Sequence, residues 1–217
     1  MSKKVRITNI ITNSIIVALM IVAVLMMFFG SEGVLSSTRW KVLKYFTIQS
    51  NLFTGFASLV SLIYLLVKKD EEYPGWMVVV KLTSVVSVGV TFTVVMTYLG
   101  AVYGYPLLFN NANLFLHGSI PVLAMTFFAL FEPKAKIRFT MNLYSMLPVT
   151  IYGIAYLINV AARNDYGNIK GADWYAFGAF GLGIGFLCLF IIIVMSFVIS
   201  IGLYFLHQKT RIKKLHD

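Results

Sequence analysis

Long apolar stretches separated by short polar segments dominate the pattern of this 217-residue chain. Six of the stretches reach the roughly 20 predominantly apolar residues that an α-helix needs to cross a bilayer. They cover residues 9–29, 45–67, 76–102, 113–131, 141–162 and 177–206. The sequence therefore predicts an all-α polytopic membrane protein, a single six-transmembrane-helix domain over residues 1–217 with short loops.

The composition agrees with this class and excludes several others. Hydrophobic residues make up 59% of the chain and charged residues 12%, whereas a soluble domain is typically about 45–50% apolar and about 25% charged. The single cysteine, Cys188, excludes an internal disulfide framework and a cysteine-based zinc site. No His, Asp and Glu cluster has metal-ligand spacing and no glycine-rich phosphate loop precedes a helix, so neither a metal nor a cofactor is expected.

The net charge of +10 comes mainly from the loops. If the N-terminus is cytoplasmic, the inner segments carry 12 basic residues and the outer loops carry 5. Lys81 is predicted to lie just inside the third helix and to snorkel to the inner surface. His207 and His216 are expected to be solvated in a basic tail. This bias predicts that both termini are cytoplasmic, and it accounts for the charge without a nucleic-acid partner.

Polar residues inside the predicted helices are not evenly scattered. The second helix carries a run of them at i, i+4, i+7 and i+11, which is one helical face. Its members are Thr47, Asn51, Thr54 and Ser58, with Ser50 beside them. For any single Ser or Thr, a hydrogen bond to a backbone carbonyl or to a neighbouring helix is the commoner role.

His117 is the one ionisable side chain that the sequence places well inside a span. It lies about five residues into the fourth helix and Thr47 about three residues into the second, so a rise of about 1.5 Å per residue predicts similar depths. The third and fifth helices run outward and bring Tyr98, Tyr156 and Asn159 near the same surface. A neutral imidazole there can take a proton from a hydroxyl, and it can equally be a structural histidine that donates to a carbonyl.

Two segments, and a third more distantly, resemble a known family. Residues 40–51, WKVLKYFTIQSN, resemble the helix-two signature of the androgen-induced-gene-1/FAR-17a family and its bacterial Pr6Pr-type members. Residues 113–121, NLFLHGSIP, resemble the histidine-containing helix of that family. Residues 173–177, DWYAF, are similar to its aromatic YPF segment, with Ala176 in place of the proline.

The resemblance implies an intramembrane threonine hydrolase that cleaves a lipid ester, such as a fatty acid ester of a hydroxy fatty acid. It implies Thr47 as the nucleophile and His117 as the general base of an acyl-enzyme mechanism in a multi-pass protein of the bacterial plasma membrane. Ser50 is the competing nucleophile, and no buried carboxylate is evident to complete a triad. The candidates for stabilising the oxyanion or orienting the imidazole are Ser50, Asn51, Tyr98, Tyr156 and Asn159.

A second class of function stays open at this stage. The same polar cluster can serve a small-molecule or lipid transporter, or a lipid-binding membrane protein without covalent chemistry. The chain shows no inverted repeat and no pair of broken helices, which are typical of transporters. A lipid or a fatty acyl ester is the expected partner in either case.

Overall fold

Six long helices build the structure, a computed structural model that describes residues 1–29, 39–68, 71–133, 135 and 137–213. Each helix, taken with its adjoining turns, is long and apolar enough to cross a membrane, which confirms the predicted all-helical, six-span class. The six are α1 Lys3–Phe29, α2 Phe46–Val67, α3 Gly75–Val94, α4 Ile120–Phe131, α5 Leu147–Arg163 and α6 Leu182–Lys213.

Irregular turns extend several of these helices. Helix α3 continues through a π-helical turn, Val95–Leu99, and α4 is preceded by another, Leu114–Ser119. Short 3₁₀ helices, Arg39–Lys44 and Phe139–Met146, lead into α2 and α5. The sixth helix begins five residues later than the sequence predicts. The reason is that Gly181, immediately before α6, has a φ of 92° and breaks the helical path.

The two ends of the bundle are defined by contacts of α1. Its first turns meet the last turns of α2 and α4, because Arg6 donates to the Leu65 carbonyl at 2.9 Å and Asn9 to the Phe131 carbonyl at 2.7 Å. We call this the inner end, in line with the predicted cytoplasmic N-terminus, and the opposite end the outer end. Lys69, Lys134, Lys136 and Lys214, which contribute to the orientation prediction, lie outside the described residues, as does His216.

Helix α3 lies at the centre of the bundle and packs against α2, α4 and α6. Helix α1 covers α2 and α4, and α5 packs on α6. The contact between α1 and α2 is close at Gly55, where a Cβ atom would stand only 2.6 Å from the Met20 side chain. Small residues at such positions let membrane helices approach each other and gain van der Waals contact.

The polar face predicted on α2 points into the bundle. Thr47, Ser50, Asn51, Thr54 and Ser58 are all buried, as predicted for one helical face. The opposite side of α2 exposes large apolar side chains instead. They are Phe56, Ile63 and Leu66, each at least 50% exposed. In lipid, polar groups gain by bonding to one another inside the bundle, while apolar groups lose nothing by facing the acyl chains.

Lys81 is only 5% exposed, so the prediction that it snorkels to the inner surface is wrong. Its Nζ atom donates to Asn13 Oδ1 at 2.9 Å and to Ser58 Oγ at 2.8 Å. A buried ammonium needs hydrogen-bond acceptors to replace water. Helices α1 and α2 each supply one, and the side chain stays inside.

His207 is fully buried, so the expectation that it is a solvated tail residue is also wrong. Its ring stacks on Phe128 with 5.1 Å between centroids, and its Nε2 lies 3.4 Å from the Pro133 carbonyl. Helix α6 continues past its most apolar stretch and still packs on the inner end of α4. Glu132 is buried beside it and accepts a hydrogen bond from the Tyr73 hydroxyl at 3.0 Å.

Candidate functional site

Thr47 lies in the wall of a small cavity near the outer end of the bundle. The cavity has a volume of about 60 Å³, room for a group the size of one or two waters, and most of the side chains that line it are apolar. Its walls come from α2, α3, α5, α6 and the loop before α6. The side chains with a polar atom in these walls are Thr47, Thr91, Tyr152, Tyr156 and Tyr175.

The two candidate nucleophiles differ in their hydrogen bonds. Ser50 Oγ donates to the Thr47 carbonyl at 3.1 Å and lies 3.0 Å from Thr91 Oγ1. Thr47 Oγ1 has no hydrogen-bond partner among the described residues. The hydroxyl of Ser50 is therefore engaged in packing the helices, whereas that of Thr47 is available at the cavity wall.

Asn51 joins α2 to the turn that carries His117. Its Nδ2 donates to the Thr47 carbonyl at 2.7 Å and to the Leu116 carbonyl at 3.0 Å. Both amide hydrogens are used in these bonds, so Asn51 does not fit the oxyanion-stabilising role expected from the sequence. It is instead the link that fixes α2 against the π-helical turn Leu114–Ser119.

His117 is 3% exposed and lies within that π-helical turn. Its Nδ1 lies 2.7 Å from the carbonyl oxygen of Leu108. A carbonyl only accepts hydrogen bonds, so Nδ1 carries the proton and Nε2 is the basic nitrogen. The imidazole is thus oriented by a backbone carbonyl of the short helix Tyr105–Leu108 between α3 and α4, a partner that side-chain patterns in the sequence do not reveal.

The structure brings the segments of Thr47 and His117 together but does not bond the two side chains. Among the described residues no hydrogen bond joins them, and His117 is not one of the residues that line the Thr47 cavity. Leu108, which holds the imidazole, packs against Val95 and Leu99. Both of these side chains line the cavity, so His117 lies behind that part of its wall.

A buried carboxylate, Asp173, organises the loop that covers the outer end of the cavity. It accepts a hydrogen bond from the Tyr156 hydroxyl and others from the backbone amides of Gly167 at 2.7 Å and Gly178 at 3.0 Å. Tyr156 therefore anchors this loop and does not hold the imidazole. The sequence pattern does not single out Asp173, because it lies in a polar loop that also contains the half-buried Asp165. The adjoining aromatic segment is the signal that could have pointed to it.

The same loop caps α2 through Tyr175. Its hydroxyl oxygen accepts a hydrogen bond from the backbone amide of Phe46 at 2.9 Å, one of the amides that a helix start leaves unpaired. Burial raises the pKa of Tyr175 to about 12, so the hydroxyl stays protonated at neutral pH. Phe177 continues the cover, with the ring of the predicted site residue Tyr98 packed 6.0 Å from it.

A larger groove lies beside the cavity, between α2 and α5, with a volume of about 520 Å³. Ser50, Tyr156 and Asn159 line it, so three of the predicted site residues face this groove. Ile151, on its α5 side, is 66% exposed, and the groove therefore opens sideways toward lipid. The side chains shared by the groove and the cavity are Phe46, Tyr152 and Tyr156.

Ala176 has a φ of 57°, a left-handed conformation that costs a residue with a Cβ atom roughly 1–2 kcal/mol. We expect Ala176→Gly to raise the free energy of unfolding by about 1 kcal/mol. Ala176→Pro is expected to lower it by more than that. Proline cannot adopt this φ, and it removes the amide that bonds the Asp173 carbonyl at 2.8 Å.

Thermal unfolding in detergent, followed by circular dichroism, measures both variants of Ala176. Ala161→Gly is the matched control, because Ala161 lies in the right-handed α5 and glycine there is expected to destabilise. A proline variant as stable as the wild type would contradict the left-handed conformation of the loop.

Six apolar helices of spanning length make this chain a multi-pass integral membrane protein. No protein-family model matches the chain, and no curated protein or solved structure matches it either. Its function is therefore inferred from the cavity, the groove and the residues between them.

Proposed function

We propose that this protein is an intramembrane hydrolase that cleaves a lipid ester, with Thr47 as the nucleophile and His117 as the general base. The observation that carries the proposal is Thr47, a buried residue whose hydroxyl lacks a hydrogen-bond partner in the described part of the chain and lies in the wall of the small cavity. An adjoining groove that opens to lipid provides a path for an ester from the membrane.

The resemblance to the androgen-induced-gene-1/FAR-17a family supports the same assignment, because residues 40–51 and 113–121 contain Thr47 and His117. It suggests fatty acid esters of hydroxy fatty acids as the substrate class and a bacterial plasma membrane as the location. The groove supports a substrate with a long acyl chain, since its walls include Phe53, Pro148 and Ile151.

The chemistry is acyl transfer to water in two steps. Nε2 of His117 removes the proton from Thr47 Oγ1 as that oxygen attacks the ester carbonyl carbon. The ester C–O bond breaks, the departing alkoxide takes the proton from His117, and the acyl group stays on Thr47. Water deprotonated by His117 then attacks the acyl-enzyme, and the fatty acid leaves as the proton returns to Thr47.

Proton transfer requires Thr47 Oγ1 and His117 Nε2 to come within about 2.6–3.2 Å in the substrate complex. The proposal therefore includes a closing movement of the π-helical turn Leu114–Ser119. Such turns are rare and occur frequently at functional sites. Asn51 donates to the backbone carbonyls of Thr47 and Leu116, and it thereby couples the position of α2 to that of the π-helical turn.

The proposal is tested by labelling the purified protein with a long-chain fluorophosphonate and locating the modified residue by peptide mass spectrometry. We expect the label on Thr47, lost in Thr47→Ala and retained in Ser50→Ala, because the Ser50 hydroxyl is engaged with Thr91 and the Thr47 carbonyl. Label that survives Thr47→Ala and disappears in Ser50→Ala would move the nucleophile to Ser50. Hydrolysis of a lipid-ester panel unchanged in both variants would overturn the proposal.

Lipid binding or transport without covalent chemistry is the second candidate. It is favoured by the open groove of about 520 Å³ and by the missing hydrogen bond between Thr47 and His117 among the described residues. This alternative expects no label and no ester turnover. It also expects lipid movement in proteoliposomes that is unaffected by Thr47→Ala.

A further inference from the structure

We propose that the outer end of the groove between α2 and α5 binds the carboxylate of an amphiphile, with Lys44 pairing with the negative charge and the apolar chain lying along the groove. That this amphiphile is the substrate rests on the proposed hydrolase function. The binding site itself does not depend on that function. The proposal assigns Lys44 the role of selecting for an anionic headgroup.

Lys44 is a half-buried cation at the outer end of the groove. Its Nζ lies 4.9 Å from the centroid of the Trp174 ring and 5.0 Å from that of Tyr45, and cation–π contacts of this kind hold the ammonium in place. In the part of the chain that the structure describes, Lys44 forms no ion pair. The charge of Lys44 is therefore not neutralised by a carboxylate there, at the edge of an apolar groove.

Asn159 adds a hydrogen-bond donor to the same groove. Arg163, one turn further along α5, donates from Nε to Asn159 Oδ1 at 3.1 Å. This contact points the amide oxygen toward Arg163 and leaves the two hydrogens of Nδ2 for another acceptor. An ammonium and an amide donor together suit a carboxylate.

The length and direction of the groove fit an acyl chain below that headgroup. On α5 it runs from Asn159 to Pro148, which is about 16 Å at 1.5 Å rise per residue. Its polar end lies at the outer end of the bundle and its deeper walls include Phe53 and Ile151. This is the orientation of a lipid in the outer leaflet, with its charged group at the surface and its chain pointing to the bilayer centre.

Trp174 lines the groove and provides the readout for a binding experiment. In a background of Trp40→Phe and Trp76→Phe, and in nanodiscs of phosphatidylcholine, its fluorescence is titrated with chain-brominated stearate or with the methyl ester of the same acid. We expect the stearate to quench at lower concentration than the ester. Lys44→Gln is expected to weaken stearate binding about tenfold or more, the scale of one charge-assisted contact, and to leave the ester unchanged.

Matched variants separate the site from general surface charge and from misfolding. Lys41→Gln removes an exposed cation of the same 3₁₀ helix and is expected to change nothing, whereas Lys44→Arg is expected to retain selectivity for the acid. Equal binding of acid and ester by the wild type, or stearate binding unaffected by Lys44→Gln, overturns the proposal. Brominated phosphatidylglycerol that binds more tightly than stearate overturns the carboxylate assignment.

Failure here is distinguishable from failure of the hydrolase proposal. Thr47→Ala is expected to bind stearate as the wild type does, because Thr47 lines the cavity and not the groove. Stearate binding that depends on Lys44, without any ester turnover, would support the proposed carboxylate site and overturn the hydrolase proposal. Ester turnover that depends on Thr47 and His117, together with stearate binding that Lys44→Gln does not change, would support the hydrolase proposal and overturn the proposed carboxylate site.

Discussion

Replacing His117 with glutamine is expected to lower ester turnover by about 10²- to 10⁴-fold, the range that a positioned general base contributes. Glutamine keeps an amide hydrogen that can donate to the Leu108 carbonyl, as Nδ1 of His117 does at 2.7 Å. It cannot take up a proton from Thr47. The variant therefore removes the proposed base while keeping a donor for the Leu108 carbonyl.

Single-turnover hydrolysis of a chromogenic lipid ester measures this loss, and a thermal unfolding curve shows whether the bundle is intact. Ser119→Ala is the matched control, since Ser119 lies in the same π-helical turn and its hydroxyl makes only a 3.4 Å bond to the Leu114 carbonyl. A double variant of Thr47→Ala and His117→Gln is expected to be no slower than either single variant, because residues that act as a unit are not additive. If His117→Gln hydrolyses the ester at the wild-type rate, His117 is not the general base.

Replacing Asn13 with leucine is expected to destabilise the bundle by about 2–3 kcal/mol, the scale of a hydrogen bond to a charged group. Asn13 Oδ1 accepts from Nζ of Lys81 at 2.9 Å, and both side chains are buried. Without it, Ser58 Oγ, at 2.8 Å, is the hydrogen-bond acceptor that the ammonium keeps among the described residues. The cost is that of leaving a buried charge poorly compensated.

Adding Lys81→Met to Asn13→Leu is expected to recover most of the lost stability, because the ammonium that needs the Asn13 acceptor is then removed. The two substitutions should thus show a coupling of about 1 kcal/mol or more in a double-mutant cycle. Unfolding in mixed micelles measures it. Thr12→Val is the control, since Thr12 precedes Asn13 on α1 and, among the described residues, its hydroxyl bonds to the Asn9 carbonyl alone, at 3.3 Å. Additive losses would show that the contact between Asn13 and Lys81 contributes nothing to stability.

Two errors of the sequence-based prediction share one cause. Lys81 was expected to reach the inner surface, and His207 was expected to lie in solvent. Lys81 meets acceptors on residues 68 and 23 positions away along the chain, and His207 stacks on a ring of α4. Whether a polar group in a membrane protein turns outward or inward depends on such distant partners, which hydrophobicity along one helix does not contain.

The candidate site likewise has features that the sequence predicted and features that depend on distant partners. The α2 face that includes Thr47 was predicted correctly, because its spacing is a property of one helix and lipid excludes polar groups from the outside of the bundle. The roles of Asn51 and Tyr156 were not. Asn51 uses both amide hydrogens on backbone carbonyls, and Tyr156 bonds to Asp173 in a loop. These partners become neighbours only when separate segments pack together.

By itself, the sequence determined that this protein is a bundle of six membrane-spanning helices and that α2 turns a polar face inward. Both follow from the free energy of apolar and polar groups in lipid, which acts on each helix separately. Only the tertiary structure decided that Lys81 and Asp173 are buried, that the Leu108 carbonyl orients His117, and that a groove opens beside Thr47. Each of these depends on hydrogen bonds or gaps between segments far apart in the chain, and no local pattern encodes them.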